Sequence, residues 1–188
     1  MGISAMKFRM IYISLTLMTT STMELYKLPS QTCIGHVHLK VSDLQRSLDF
    51  YCGLLGFEIT IMYGNDAAFI SAGGYHHHIG LNTWYSRNSS PANKTSVGLF
   101  HTAILYPSRR DLAAILLRLN ETNYPLTGAA DHGVSEAIYL DDPDGNGVEL
   151  YWDRPKELWP QKDDGSLEMY TKQLDLNNLL SVLDQPEK

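Results

Sequence analysis

Two histidines and one glutamate are the residues of this chain best suited to bind a metal ion. His36 and His101 each lie at the start of a β-like segment and are 101 − 36 = 65 residues apart, and Glu149 interrupts a late apolar segment. Two neutral imidazoles and one carboxylate hold a non-haem Fe(II) ion while leaving positions for substrate and dioxygen. Each residue alone is more typical of a core or surface position, so this interpretation depends on their convergence.

Further imidazoles lie in the first half of the chain. Residues 75–78 have the sequence YHHH. If this segment is a strand, alternation places its first and third histidines on one face and the second on the other, so only one of these faces lines a pocket. His38 shares a face with His36 and stays open as an alternative ligand or as a neighbour of the ligand.

The first half of the chain has the order of elements β-α-β-β-β. Ser42 and Gln45 have the spacing of a capping box, which predicts the start of a helix. Apolar residues then recur at helical spacing, and Gly53 and Gly56 predict the end of that helix. The predicted strands cover residues 34–41, 57–63, 67–72 and 75–84.

The second half repeats this order after a polar linker at residues 86–98. Ser108 and Asp111 are again spaced as a capping box, and the following apolar residues predict one buried helix face. The predicted strands cover residues 99–106, 124–126, 135–140 and 148–152. The predicted fold class is therefore α+β, with two paired βαβββ modules, 34–85 and 99–153, in a cupped mixed sheet around a central metal site.

The last strand is preceded by an acidic connection. Asp141, Asp142 and Asp144 alternate with Pro143 and Gly145, which are typical of a tight turn. We predict a solvated turn here and not a set of metal ligands.

The two ends of the chain lie outside the predicted domain, residues 31–160. Residues 1–30 are expected to be a disordered or spurious extension, with a weak strand or helix, or a signal sequence, as alternatives. In the tail, residues 161–188, the segment 175–183 has a short amphipathic pattern that predicts a helix.

Composition excludes some partners. The formal net charge of -6 and the lack of a Lys/Arg cluster argue against nucleic acid, and no segment is apolar enough to predict a membrane span. Cys33 and Cys52 are too few for a disulfide scaffold, which favours reduced residues in a cytoplasmic protein. A small-molecule substrate is the expected partner.

The order of modules and several motifs together resemble the vicinal oxygen chelate superfamily, which includes glyoxalases, bleomycin-resistance proteins and extradiol dioxygenases. The resemblance covers residues 34–160. It rests on IGHVHLKVSDL (residues 34–44), DFY (49–51), LGF (55–57) and DPDGNGVEL (142–150).

Within this superfamily the chain is most similar to catechol 2,3-dioxygenases. That resemblance implies three iron ligands: His36, His101 and Glu149. It also implies three catalytic residues beside the metal: His78 as acid/base, with His77 as the alternative, Tyr139 as a hydrogen-bond donor to substrate or oxygen, and His132 as a second pocket histidine. A glyoxalase I would be expected to have a glutamate near position 78, where this chain has a histidine.

The implied function is a metal-dependent extradiol-type dioxygenase that cleaves catechol-like aromatic diols with O2. The implied cofactor is Fe(II), with Mn, Ni or Zn as alternatives. Other functions of the superfamily stay open: a glyoxalase-like lyase, a fosfomycin-type transferase, or a metal-free drug-binding protein. Many extradiol enzymes have four modules and this chain has two, so we expect a pocket that is more open or completed by a second subunit of a homodimer.

Overall fold

The structure is a computed structural model that describes residues 25–186. The described residues fall into two units, 25–33 and 34–186. The described part of the first unit, residues 25–33, contains no helix or strand. The other expectations for residues 1–30 concern residues 1–24, which lie outside the described range. None of the helices between residues 25 and 186 has the length and apolar character that crossing a membrane requires.

Residues 34–186 form two mixed sheets and a few short helices. The strands are β1 (Val37–Lys40), β2 (Glu58–Tyr63), β3 (Ala67–Ser71), β4 (Ile79–Asn82), β5 (His101–Leu105), β6 (Gly128–Asp131), β7 (Ser135–Asp141), β8 (Gly147–Asp153) and β9 (Lys172–Gln173). The α-helices are α1 (Leu44–Leu48), α2 (Arg109–Glu121) and α3 (Leu176–Leu180). The predicted α+β class with two βαβββ modules is confirmed.

Module one forms a four-stranded sheet in the order β1-β4-β3-β2. β1 and β4 are parallel, and the other pairs are antiparallel. The helix begins one residue later than the capping box predicts, because Asp43 is the residue that accepts the hydrogen bond from the Arg46 N–H. A π-helical segment, Asp49–Leu54, continues α1 and ends the helical region near Gly56.

Module two forms a five-stranded sheet in the order β5-β8-β7-β6-β9. β5 and β8 are parallel, and the helix that follows β5, α2, has Ser108 as its N-cap, as the sequence predicts. The hydroxyl of Ser108 accepts a hydrogen bond from the Asp111 N–H at 3.1 Å. α2 buries its apolar face in a core that both modules share.

Two strand predictions need correction, and one strand was not predicted. Residues 75–78 are a loop, and β4 begins only at Ile79, because the turn at Gly73 and Gly74, both with positive φ, delays the strand. The strand expected at residues 124–126 lies instead at Gly128–Asp131. Sequence periodicity did not indicate β9, a two-residue strand of the tail that pairs with β6.

The acidic connection is buried and joins the two modules, so the prediction of a solvated turn is wrong for two of its three aspartates. Asp142 is 4% exposed and Asp144 is 8% exposed. The hydroxyl of Tyr51 in module one donates to Asp142 Oδ2 at 3.0 Å. Asp144 accepts hydrogen bonds from the backbone N–H and the hydroxyl of Ser42. Ser42 therefore binds the other module and does not cap α1.

The C-terminal tail packs against module two. The predicted helix is present as α3, with Asp175 as its N-cap, followed by the 3-10 turn Ser181–Asp184. The guanidinium of Arg109 donates to Asn178 at 2.8 Å and thereby connects α2 to α3. Cys33 and Cys52 are both free thiols.

Candidate metal centre

Two of the three predicted ligands meet in module two. His101 begins β5 and Glu149 lies on β8, where the parallel register pairs His101 with Gly147 and Ala103 with Glu149. The two side chains therefore share one face of the sheet. His101 Nε2 lies 2.9 Å from Glu149 Oε2. The carboxylate is 13% exposed and the imidazole 31% exposed, so both are partly withdrawn from solvent.

Tyr139 and His132 extend this pair into a hydrogen-bonded series. Tyr139 on β7 is directly opposite Glu149 in the antiparallel ladder, and its hydroxyl lies 3.0 Å from Glu149 Oε1. His132 lies in the turn between β6 and β7, with Nε2 2.7 Å from the Tyr139 hydroxyl. The series thus runs from His101 through Glu149 and Tyr139 to His132. Both predicted catalytic residues of module two are connected to the ligand pair.

The environment of Tyr139 keeps its hydroxyl protonated. Burial raises the pKa of Tyr139 to about 12, and the nearby Glu149 carboxylate adds to this by its charge and its hydrogen bond. At neutral pH, Tyr139 is therefore a hydrogen-bond donor on the same face as the ligand pair.

Two glycines lie next to these side chains, and the structure requires glycine at one of them. A Cβ at Gly147 would lie 2.2 Å from the Phe100 carbonyl oxygen and 3.1 Å from His101 Cβ. The close approach of β8 to the start of β5 therefore requires glycine at this position. A Cβ at Gly128 would lie 3.7 Å from the Tyr139 ring, which is an ordinary contact. The repeated glycines of DPDGNGVEL are the sequence feature that indicates the close approach at Gly147.

His36 lies apart from the other two predicted ligands. Its ring centroid is 4.4 Å from that of His77, in module one. Nowhere between residues 25 and 186 do three His, Cys, Asp or Glu side chains converge on one point. His36 is exposed and lies immediately before β1, which is an edge strand of its sheet. The described part of one chain thus brings two of the three predicted ligands together, and their role as metal ligands stays a prediction.

The alternative residues of module one have their own surroundings. The ring of His38 lies over Gly80 and near Phe69 and Trp84, and burial followed by the charge of His36 lowers the pKa of His38. The expected alternation of residues 75–78 does not apply because they form a loop.

His78 and His77 also differ in their contacts. The Nδ1 atom of His78 lies 3.1 Å from the Ser71 hydroxyl and accepts from the Ala72 N–H at 3.3 Å. His77 Nδ1 lies 2.7 Å from the same atom of His76. These contacts connect both candidate acid/base histidines to module one and not to the series around Glu149.

The ligand pair fits a metal ion in chemistry and spacing. Two ligand atoms that each lie about 2.1 Å from one ion, at right angles, are about 3.0 Å apart, which matches the His101–Glu149 distance. An imidazole nitrogen and a carboxylate oxygen suit Fe, Mn, Ni and Zn. His101 Nδ1 is buried and has no hydrogen-bond partner within the described residues, so the polar contact of this ring is the one from Nε2 to Glu149.

Comparison with known proteins agrees with this architecture. A sequence profile of the glyoxalase/bleomycin resistance protein/dioxygenase superfamily matches residues 33–150. A catechol-2,3-dioxygenase of Bacillus subtilis is 40% identical over 157 residues, which is 84% of this chain and 54% of that protein. A biphenyl-2,3-diol 1,2-dioxygenase of Rhodococcus globerulus is 31% identical over 64% of this chain and 63% of its own length.

The chain spans about half to three-fifths of the length of these relatives. Among solved structures, a glyoxalase/dioxygenase from Nostoc punctiforme superposes with a TM-score of 0.55 at 17% identity, covering 70% of this chain and all of the other. That likeness supports the fold alone. The profile match, the sequence identity and the paired βαβββ modules agree, and the chain belongs to the glyoxalase/bleomycin resistance protein/dioxygenase superfamily.

Proposed function

We propose that this protein is a metal-dependent extradiol-type dioxygenase that acts on catechol-like aromatic diols with O2. The observation that carries the proposal is the series His101–Glu149–Tyr139–His132, in which a pair of metal-type ligands is directly connected to a protonated phenol and an imidazole. The names of the two dioxygenase relatives support this chemistry over the lyase and transferase functions of the superfamily.

His101 and Glu149 would hold the metal, with His36 as the third ligand. Fe(II) is the proposed ion, and Mn, Ni or Zn could occupy the same donors. When bound, such an ion supplies Lewis acidity and a template on which a vicinal diol and O2 can lie side by side. The side chains around the ion would bind and orient the substrate and exchange its proton.

Tyr139 and His132 would bind and orient the diol and exchange its proton. The Tyr139 hydroxyl donates to Glu149 Oε1 and lies 2.7 Å from His132 Nε2, so it is held at a fixed place and would turn its one hydrogen from Glu149 to a substrate oxygen. His132 would pass the diol's proton on: as the Tyr139 oxygen receives that proton, Tyr139 gives its own hydrogen to His132 Nε2, so the phenol stays protonated. We assign His78 as a second acid/base group, with His77 as its alternative, supplied by module one.

We assign His36 to the site of a second copy of the chain, which makes the enzyme a homodimer. His36 is exposed, and within residues 25–186 both β1 and β5 pair with another strand on one side only. Because no third ligand converges with His101 and Glu149 in the described part of one chain, a second copy that brings its β1 edge to β5 would complete the set.

Oxygen uptake with catechol, after anaerobic reconstitution with Fe(II), tests the proposed reaction. We expect uptake together with a ring-opened semialdehyde product, and loss of both in Glu149→Ala. Tyr139→Phe should lower activity about 10–100-fold, because it removes a hydrogen bond to a metal ligand. Glu157→Ala, which removes an exposed carboxylate outside the site, is the matched control. Iron-loaded protein that consumes no oxygen with any catechol would contradict the proposal.

Mixing two inactive variants tests the shared site. If ligands come from two copies, a His36→Ala chain and a Glu149→Ala chain together restore one complete site in each mixed dimer, or about a quarter of wild-type activity after random exchange. If all three ligands come from one chain, mixing restores no activity, and the assignment of His36 to a second copy is wrong.

A further inference from the structure

The C-terminal tail contacts the site at one point, the turn that carries His132. Residue Tyr170 and the turn form a reciprocal pair: the Tyr170 N–H donates to the His132 carbonyl at 3.3 Å, and the Tyr170 carbonyl lies 3.1 Å from His132 Nδ1. β9 follows at once and pairs with β6, with Lys172 opposite Asp131 and Gln173 opposite Ala130. The tail is therefore held in register beside the imidazole.

We propose that residues 170–173 are positioning residues that fix the tautomer and orientation of His132, and so set which of its nitrogens exchanges a proton with Tyr139. This inference deepens the function proposed above and rests on it only for its consequence in catalysis. The contacts themselves involve the described residues of one chain and need neither metal nor substrate.

The fit of Tyr170 against the turn depends on Gly133. Gly133 has φ of +80°, and a Cβ there would lie 2.8 Å from the Tyr170 ring and 3.0 Å from Pro160. The ring of Tyr170 thus packs directly on the backbone next to His132. The ammonium of Lys172 lies 4.1 Å from the centroid of the same ring and covers it.

The other side of the turn is held by Arg154. Its guanidinium donates to Asp131 at 2.7 Å and to the Gly133 carbonyl at 3.0 Å. Asp131 in turn accepts from the Gly133 N–H at 2.8 Å. These contacts hold the backbone of the turn, and the His132 ring is held between Tyr170 at Nδ1 and Tyr139 at Nε2.

Hydrogen-bond chemistry then assigns the proton. A backbone carbonyl accepts hydrogen bonds and cannot donate, so the His132 Nδ1 beside Tyr170 must carry hydrogen. Nε2 lies 2.7 Å from the Tyr139 hydroxyl and donates to the phenol oxygen while that hydroxyl donates to Glu149. Once Nε2 has lost its hydrogen it accepts from the hydroxyl instead, so Nε2 is the nitrogen that gains or loses a proton. The hydroxyl of Thr171 is a weaker competitor for Nδ1 at 3.3 Å, and it would favour the opposite tautomer if it donated.

The direct test is ¹⁵N NMR of histidine-labelled, metal-free full-length protein, with the His132 signals identified by their loss in His132→Gln. We expect Nδ1 to show the chemical shift and couplings of a protonated nitrogen in the wild type. The same pattern should persist in Tyr139→Phe and in Thr171→Val, because neither removes the Tyr170 carbonyl. A wild type in which Nδ1 is unprotonated, or a pattern that reverses in Thr171→Val or Tyr139→Phe, would overturn the inference.

A proline in the tail strand provides the perturbation. Lys172→Pro breaks the β9 pairing and should convert His132 to a mixture of tautomers while circular dichroism stays native. Asp163→Pro is the matched control. The Gly165 N–H donates to the Lys162 carbonyl and closes a turn in the tail, and residue 163 is the second residue of that turn, where proline is favoured. If Lys172→Pro does not fold, the Tyr139→Phe and Thr171→Val spectra decide.

Activity adds a second readout. In an active enzyme, Lys172→Pro should change the pH profile of kcat, whereas Asp163→Pro should not. Failure of catechol cleavage in the wild type would count against the proposed function and leave the NMR result untouched. An unprotonated Nδ1 in an active wild type would count against this inference alone.

Discussion

Replacement of Gly147 by alanine should damage the metal centre without touching a ligand. The added Cβ would lie 2.2 Å from the Phe100 carbonyl oxygen, whereas ordinary contacts begin at 3.4 Å, so the two backbones must separate by 3.4 − 2.2 = 1.2 Å. The clashing atom belongs to the backbone and cannot rotate away. β5 must therefore move relative to β8 at the point where His101 begins.

The expected cost follows from that displacement. Overpacking of this kind destabilises a fold by about 1–3 kcal/mol. A shift of about 1 Å also disturbs the 2.9 Å contact between His101 and Glu149, which should weaken metal binding about 10–100-fold, the effect usual when the support of a ligand is lost. Both effects arise from one methyl group.

Urea unfolding and anaerobic Fe(II) titration calorimetry measure the two effects. Gly128→Ala is the matched control, because its Cβ would lie an ordinary 3.7 Å from Tyr139 in the same sheet. We expect it to change the free energy of unfolding and the metal affinity little. Wild-type behaviour of Gly147→Ala, or equal damage from both substitutions, would refute the link between this close approach and the site.

The buried connection between the modules and the brace of the His132 turn each give a prediction. Tyr51→Phe removes a hydrogen bond to the buried Asp142 carboxylate and should lower the free energy of unfolding by about 1.5–3 kcal/mol. Burial, followed by the charge of Asp142, raises the pKa of Tyr51 above its ordinary value of 10.0. The wild type should therefore lose stability as the pH rises above that value, and Tyr51→Phe should lack this loss. If the unfolding free energies of the two proteins fall in parallel at alkaline pH, the prediction is wrong. For Asp131, burial alone would raise the pKa, but hydrogen bonds from Arg154 and the Gly133 N–H hold it below the ordinary 3.8. The ionised Asp131 therefore stabilises the fold above that pH, and this stabilisation is lost as the pH falls further. When the free energy of unfolding is measured against pH, Asp131→Asn should be less stable than the wild type at neutral pH and equally stable in strong acid.

The fold was largely predictable because its strongest elements carry local patterns. The apolar face of α2 and its Ser108 cap are visible in the sequence, and so are the long ribbons β7 and β8. The connection of Tyr139 to Glu149 was also accessible, since two residues that flank a short hairpin are opposite each other in an antiparallel pair.

The features that escaped prediction depend on partners distant in sequence. Asp142 and Asp144 have the composition of a solvated turn, and only the positions of Tyr51 and Ser42 make them buried acceptors. The contact of the Tyr170 carbonyl with His132 could not be predicted from residue type, because every residue has a backbone carbonyl. Such contacts require the packed chain.

The histidine-rich segment illustrates a different limit. Alternation is a valid argument for a strand, but residues 75–78 follow two glycines with positive φ and form a loop. The strand, in which alternate side chains point to opposite faces, begins after these histidines, at Ile79. Their assignment as ligands or acid/base groups thus stays a prediction.

The central claim is that His101 and Glu149 bind one catalytic metal ion. Anomalous scattering from crystals of Fe(II)-loaded protein, recorded at the iron edge, tests it most directly. We predict one peak within bonding distance of His101 Nε2 and the Glu149 carboxylate, with His36 of a second copy as the third protein ligand. A peak held by other residues, or density at this site without metal, would contradict the account.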